Sequence, residues 1–230
     1  MRGFITALVL CVFSIIFGSP VKSMIGAYWN AQIQGEEDIV PVEFIESTGT
    51  QYIDTGIIPN GVKTTIEFAL TDVKNGQIAG CHNPNNQRYY PLEVYGSRTK
   101  YFRRVDKNDN LVNLCGSANT ERHTTVYYYD INNSSFDGIE SQSSGFNISS
   151  AIYTCILFGI SMNGVFVESE AIPMKIYRCT MEKDGELLRD FIPVRFLNEE
   201  NRWEGAMYDN VSGEMFRNQG TGEFIFWRNI

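Results

Sequence analysis

The segment Thr64-Thr65-Ile66-Glu67-Phe68-Ala69-Leu70 alternates with a period of two. Residues 64, 66, 68 and 70 fall on one side of an extended chain and Thr65 and Glu67 on the other, the signature of a strand in a half-buried sheet. The same grammar recurs along the chain at Val42–Glu46, Gln51–Ile57, Gln77–Cys81, Arg88–Tyr95, Lys100–Arg104, Thr124–Asp130 and Ile152–Ile160. Clusters of Gly, Asn, Pro and Asp separate these runs. Strands spaced about ten residues apart fit two packed antiparallel sheets, not βαβ units. The expected fold is all-β, a two-sheet antiparallel β-sandwich.

Composition agrees with that reading: 15 Phe, 12 Tyr and 20 Gly favour strands and tight turns over helices. A length of 230 residues suits one sandwich domain with one sizeable core. The formal charge of -8 and pI of about 4.9 set the average face against phosphate backbones and anionic lipid, which excludes nucleic acid as a partner.

The first 23 residues differ in kind. Arg2 precedes an apolar run without charge from Gly3 to Gly18, followed by Pro20 and by Val21-Lys22-Ser23. The pattern is that of a secretory signal peptide over 1–23, cut after Ser23. The run of about 16 residues falls short of the roughly 20 that span a bilayer. Residues 24–39 read as a linker and 40–230 as the folded domain. After cleavage no stable membrane span is expected, and the destination is secreted or cell-surface.

Export leaves Cys81, Cys115, Cys155 and Cys179, which allow three pairings in an oxidising compartment. Buried free thiols filling core space are the equal alternative. None has Cys-x-x-Cys spacing, so thiol redox and zinc chemistry find no support. Asn132 to Ser150, rich in Ser, Asn and Gly, reads as a surface loop. Glycosylation sequons fall at Asn132, Asn133, Asn147 and Asn210.

Both ends of the domain carry further motifs. Phe44-Ile45-Glu46-Ser47-Thr48-Gly49-Thr50-Gln51-Tyr52-Ile53-Asp54-Thr55-Gly56-Ile57 opens it with two extended segments about a turn. Ile172, Met174 and Ile176 alternate with Lys175 and Tyr177, and Asp184-Gly185 is a hairpin turn signal before Leu187–Phe196. Then come Leu188-Arg189-Asp190-Phe191-Ile192-Pro193, Tyr208-Asp209-Asn210-Val211-Ser212-Gly213 and Gly220-Thr221-Gly222. Together these stretches resemble laminin G-like domains of the concanavalin A-like lectin/glucanase superfamily, from about Val40 to Phe226. The resemblance implies a jelly-roll sandwich and a place among secreted or surface proteins of gut-type bacteria and phages. A fold of this kind hosts many activities, so function must be read from the site.

Glucanases of this superfamily carry their two carboxyl groups on one strand face as Glu-x-Asp-x-Glu or a similar run, and retaining enzymes hold them about 5 Å apart. No such run occurs here; Glu168-Ser169-Glu170 adjoins a strand end, where solvated carboxylates are commonplace. His82 and His123 are the only histidines. Neither accompanies a nucleophile-elbow Ser or Cys, and both read as surface or edge residues. No enzyme is expected. Asp106, Asn108 and Asn110 offer oxygens at alternate positions and are candidate calcium ligands, with a solvated turn as the default because Leu111 stands where a calcium loop needs Gly.

Sugar recognition asks for exposed aromatic rings beside planar polar side chains. Arg88, Tyr90, Tyr95, Tyr101 and Arg103 are the candidate ligand-binding residues. Core packing and cross-strand pairing compete for the same aromatics, and in a regular strand Tyr89 and Tyr90 would point to opposite faces. The functional expectation is a non-catalytic binding module for a carbohydrate or glycoprotein surface. The alternatives are a structural or adhesive envelope or virion protein without glycan affinity, and a divergent glycoside hydrolase or lyase.

Overall fold

The computed structural model describes residues 39–83, 87–96, 101–105, 111–128, 133–142 and 151–226. The chain divides into two units, 1–40 and 41–230. The expected signal segment and nearly all of the linker lie outside the described residues. Among the described residues no helix is long and apolar enough to cross a membrane.

The described strands are, in chain order, β1 (Ile39–Pro41), β2 (Ile45–Ser47), β3 (Ile53–Asp54), β4 (Val62–Leu70), β5 (Gly76–Asn83) and β6 (Gln87–Tyr95). Next come β7 (Tyr101–Val105), β8 (Leu111–Ser117), β9 (Arg122–Tyr128), β10 (Asn133–Phe136), β11 (Ile139–Gln142) and β12 (Ile156–Leu157). The last group is β13 (Ser161–Met162), β14 (Val165–Phe166), β15 (Met174–Lys183), β16 (Glu186–Leu197), β17 (Trp203–Asp209), β18 (Glu214–Arg217) and β19 (Ile225–Phe226). One 3₁₀ turn, Glu168–Glu170, interrupts them.

The fold is all-β, with two sheets. The larger runs β11-β10-β9-β4-β15-β16-β17-β18, and β2 joins it by pairing with β15 and β19. The smaller runs β14-β13-β5-β6-β7-β8, with β12 bonded to β3 and β5. Among the described strands pairing is antiparallel save for β13, which lies parallel to β5. One hydrophobic cluster draws on both sheets. Ile66 and Phe68 of β4 and Met174 and Ile176 of β15 meet Ile78 and Cys81 of β5 and Leu92 and Val94 of β6. Two sheets facing across one core make a sandwich-like arrangement.

Strand β4 follows the sequence pattern, with Thr64, Ile66, Phe68 and Leu70 buried between half-buried neighbours. Strand β15 starts in phase, burying Met174 and Ile176, and then changes: Cys179 and Met181 are buried where unbroken alternation would bury Arg178 and Thr180. The cause is a register shift against β4 between Ile176 and Arg178. One extra residue in a strand moves every later side chain to the other face.

The expected Asp184-Gly185 turn forms, with φ of +52° and +81°, the left-handed pair of a type I′ hairpin. Asp137-Gly138 makes the same turn, with φ of +50° and +79°. That turn corrects the reading of 132–150 as loop, because it joins β10 to β11 as a hairpin on the edge of the larger sheet. Two expected strands also shrink. Only Ile53–Asp54 of 51–57 is strand, and 152–160 holds the short β12 before Phe158 turns left-handed at φ +70°.

The two ends of the domain are stitched together. Thr221 N–H donates to the Thr50 carbonyl at 3.0 Å and Gln219 N–H to the Tyr52 carbonyl at 3.1 Å. The Thr50 hydroxyl and the Gln51 side-chain amide both donate to the Thr221 carbonyl, at 2.8 and 3.0 Å. The contact is so close that a Cβ on Gly220 would fall on the Thr50 carbonyl oxygen. The opening and closing motifs therefore form one structural joint.

Candidate ligand-binding site

Strands β5 to β8 lie side by side, and their registers sort the candidate residues. Gln77 pairs with Glu93, Glu93 with Arg103 and Arg103 with Asn113, one row across four strands. A second row pairs Tyr95 with Tyr101 and Tyr101 with Ser117. Leu92 and Val94 of β6 belong to the core. Alternation therefore puts Glu93 and Tyr95 on the other face of the sheet.

Those two side chains differ sharply in environment. Tyr95 is 50% exposed, whereas Glu93 is 3% and Gln77 8% exposed. The Gln77 amide nitrogen donates to Glu93 Oε2 at 2.7 Å, which fixes the amide: a flip would set oxygen against oxygen. Among the described residues Gln77 Oε1 is then buried with no hydrogen-bond partner. An unsatisfied buried acceptor costs about 1–3 kcal/mol, so the row retains capacity for one more donor.

Of the five ligand candidates, the backbone brings Tyr95, Tyr101 and Arg103 together in adjacent rows. Arg88 pairs with His82 at the far end of β6, beyond a register shift between Ala79 and Cys81. Tyr90 falls in the irregular stretch between Tyr89 and Leu92, where simple alternation does not hold. The side chains of Arg88, Tyr90, Tyr101 and Arg103 lie outside the described residues. So do Asp106, Asn108 and Asn110, the calcium candidates. Gln77 and Glu93 were not among the sequence candidates. The signal that could have found Glu93 is an acidic residue between two core positions, with Tyr95 next on its face.

The histidine expectation is corrected. His82 is 7% and His123 5% exposed. His123 Nδ1 lies 2.7 Å from Asp137 Oδ2 and Nε2 2.9 Å from Asn119 Oδ1. Asn119 Oδ1 also accepts from Glu121 N–H and Asp137 Oδ1 from Thr124 N–H. His123 thus ties the loop before β9 to the β10–β11 turn, and Phe136 packs on its ring at 4.8 Å. Asp137 and Asn119 are themselves held in structural turns.

Cys81, Cys155 and Cys179 are buried free thiols. Burial pushes Cys81 up to about 12 from its ordinary 9.0, and Asp54 adds to the rise. Burial likewise raises Cys155 and Cys179, with smaller contributions from Cys81 and Cys179 on the former and from Asp190 on the latter. Groups held this far from ionisation are poor nucleophiles and metal ligands. Among the described residues no three His, Cys, Asp or Glu side chains converge so as to hold a metal ion. Glu168 and Glu170 sit on the solvated 3₁₀ turn.

No family model, curated protein or solved structure matches this chain.

Proposed function

We propose that the chain is a non-catalytic binding module of the laminin G-like, concanavalin A-like jelly-roll kind, exported to the cell surface or beyond, whose smaller sheet takes a carbohydrate or glycoprotein glycan. The observation that carries this reading is the register on the face opposite the core. There half-exposed Tyr95 stands level with Tyr101, one step from the buried Gln77–Glu93 pair and the Arg103 position. An aromatic ring offers a sugar's C–H face a stacking surface, and planar amide, carboxyl and guanidinium groups read its hydroxyls.

The test is a glycan-array survey of the whole chain, followed by titration of the best glycan against variants, with and without a calcium chelator. Tyr95→Ala is expected to weaken binding about tenfold, the equivalent of roughly 1.4 kcal/mol of lost stacking. Leu187→Ala, on the exposed part of β16 in the other sheet, is expected to leave it unchanged. A blank array on folded protein would turn the reading to a structural or adhesive role, and turnover of a polysaccharide would turn it to a divergent hydrolase or lyase. Loss of binding on chelation would bring calcium into the site.

A further inference from the structure

Three Asn-Gly pairs occur in the chain, at 60–61, 75–76 and 163–164, and the fold holds each differently. Such a pair can lose its amide without a catalyst. The glycine main-chain nitrogen attacks the asparagine Cγ, a C–N bond forms, ammonia leaves, and the succinimide ring is opened by water to aspartate or isoaspartate. The reaction needs a side chain free to rotate and a main chain free to bend. Glycine leaves the attacking nitrogen least shielded.

Asn60 has neither freedom. Its Nδ2 donates to the Ala151 carbonyl at 2.9 Å and its Oδ1 accepts from Ala151 N–H at 2.8 Å, so both ends of the amide are clamped. Asn75 is exposed, but its partner Gly76 opens β5 and pairs with Val94. A Cβ there would lie 2.8 Å from the Glu170 carbonyl oxygen and 3.1 Å from Ile172 Cβ. The Gly76 main chain is thus held by the sheet and by packing, and cannot swing toward the side chain.

Asn163 and Gly164 are the two tip residues of the β13–β14 hairpin, both exposed and both left-handed, with φ of +55° and +77°; a Cβ on Gly164 would meet the Tyr153 ring at 3.1 Å, a side chain and not the backbone that confines Gly76. Met162 pairs with Val165 to close the turn, and β14 ends the strand order of the smaller sheet. Among the described residues no hydrogen bond holds the Asn163 side-chain amide. We infer that Asn163 is this chain's site of spontaneous amide loss and isoaspartate formation. The product adds a negative charge at the tip. Its isoaspartyl form also lengthens the main chain where Asn163 N–H donates to the His82 carbonyl of β5 at 3.2 Å. The inference is independent of the ligand-binding proposal.

The whole chain, aged in mildly alkaline buffer and mapped by peptide mass spectrometry with isoaspartyl methyltransferase labelling, is the test. Asn163 is expected to convert several-fold faster than Asn75 or Asn60. In denaturant the three rates are expected to converge, which would show that the fold and not the dipeptide sets the selection. Asn163→Gln is expected to remove the main modified peptide. Conversion of Asn60 or Asn75 as fast as Asn163 in the folded chain, no conversion at Asn163, or the same selectivity in denaturant would each overturn the inference.

Discussion

Asp209 shows how one side chain fixes a turn. It is fully buried. Oδ1 accepts from Asp190 N–H at 2.8 Å and Val211 N–H at 3.2 Å, and Oδ2 from the Ser212 hydroxyl at 2.8 Å and Ser212 N–H at 3.2 Å. Arg189 Nη1 stands 3.6 Å from Oδ2. Gly213 completes the turn at φ +73°, donating to the Asp209 carbonyl at 2.8 Å. Within the Tyr-Asp-x-x-Ser-Gly motif Asp209 therefore closes the turn through Val211, Ser212 and Gly213 and anchors it to β16 through Asp190. Asp209→Ala would strand these donors and leave Arg189 without its nearest carboxylate; a loss of about 3–5 kcal/mol is expected in urea unfolding. Ser212→Ala removes the hydroxyl's bond to Asp209 and the long one it accepts from Glu214 N–H, and is expected to cost only about 1 kcal/mol. The turn was legible in the sequence because the bonds from Val211, Ser212 and Gly213 to Asp209 all lie within four residues. Its neighbour Asp190 was less so: it takes a two-pronged bond from Arg178, at 2.9 and 3.1 Å, and another from Asn210 at 3.1 Å.

Among elements, the turns were the most legible and the strand phases the least. Asp184-Gly185 could be read as a hairpin from two residues because left-handed φ values are what Asp and Gly tolerate. The joint between residues 47–51 and 218–222 depends on another kind of glycine. Gly220 has no room for a Cβ against the Thr50 backbone, whereas Gly185 faces open space and is constrained by its φ of +81° alone. Gly185→Ala is expected to cost about 1–2 kcal/mol, the left-handed penalty. Gly220→Ala is expected to cost more, because backbone must move and the bonds from Gln219 and Thr221 open. Thermal unfolding of the two variants side by side checks the order, and a Gly220→Ala protein as stable as Gly185→Ala would contradict the joint.

Across the whole molecule, the core is a property of both sheets, and the thiols report on it. Cys81 comes from β5 and Cys179 from β15, in opposite sheets, and both sit in the shared cluster with Cys155. Native protein at neutral pH is expected to leave these three unreactive to a thiol reagent, and unfolding to expose them together. The pH dependence has a definite sign. Well below 9.0, the ordinary thiol value, all are neutral in both states. Above it the unfolded chain releases protons that the folded core retains until about 12 at Cys81, so stability is lost as pH climbs through that window. Denaturation midpoints across alkaline pH measure it, and Cys81→Ala is expected to flatten the decline. By itself, the sequence determined what depends on near neighbours: the all-β class, the period-two core positions of β4, the Asp-Gly turn and the terminal motifs. Only the tertiary structure decided which strands adjoin, where bulges reverse a strand's phase, that 133–142 folds back as a hairpin, and that His82, His123 and Glu93 are buried. Periodicity is written in adjacent residues, whereas a ladder's register and the cover over a sheet's outer face come from residues far apart in the chain.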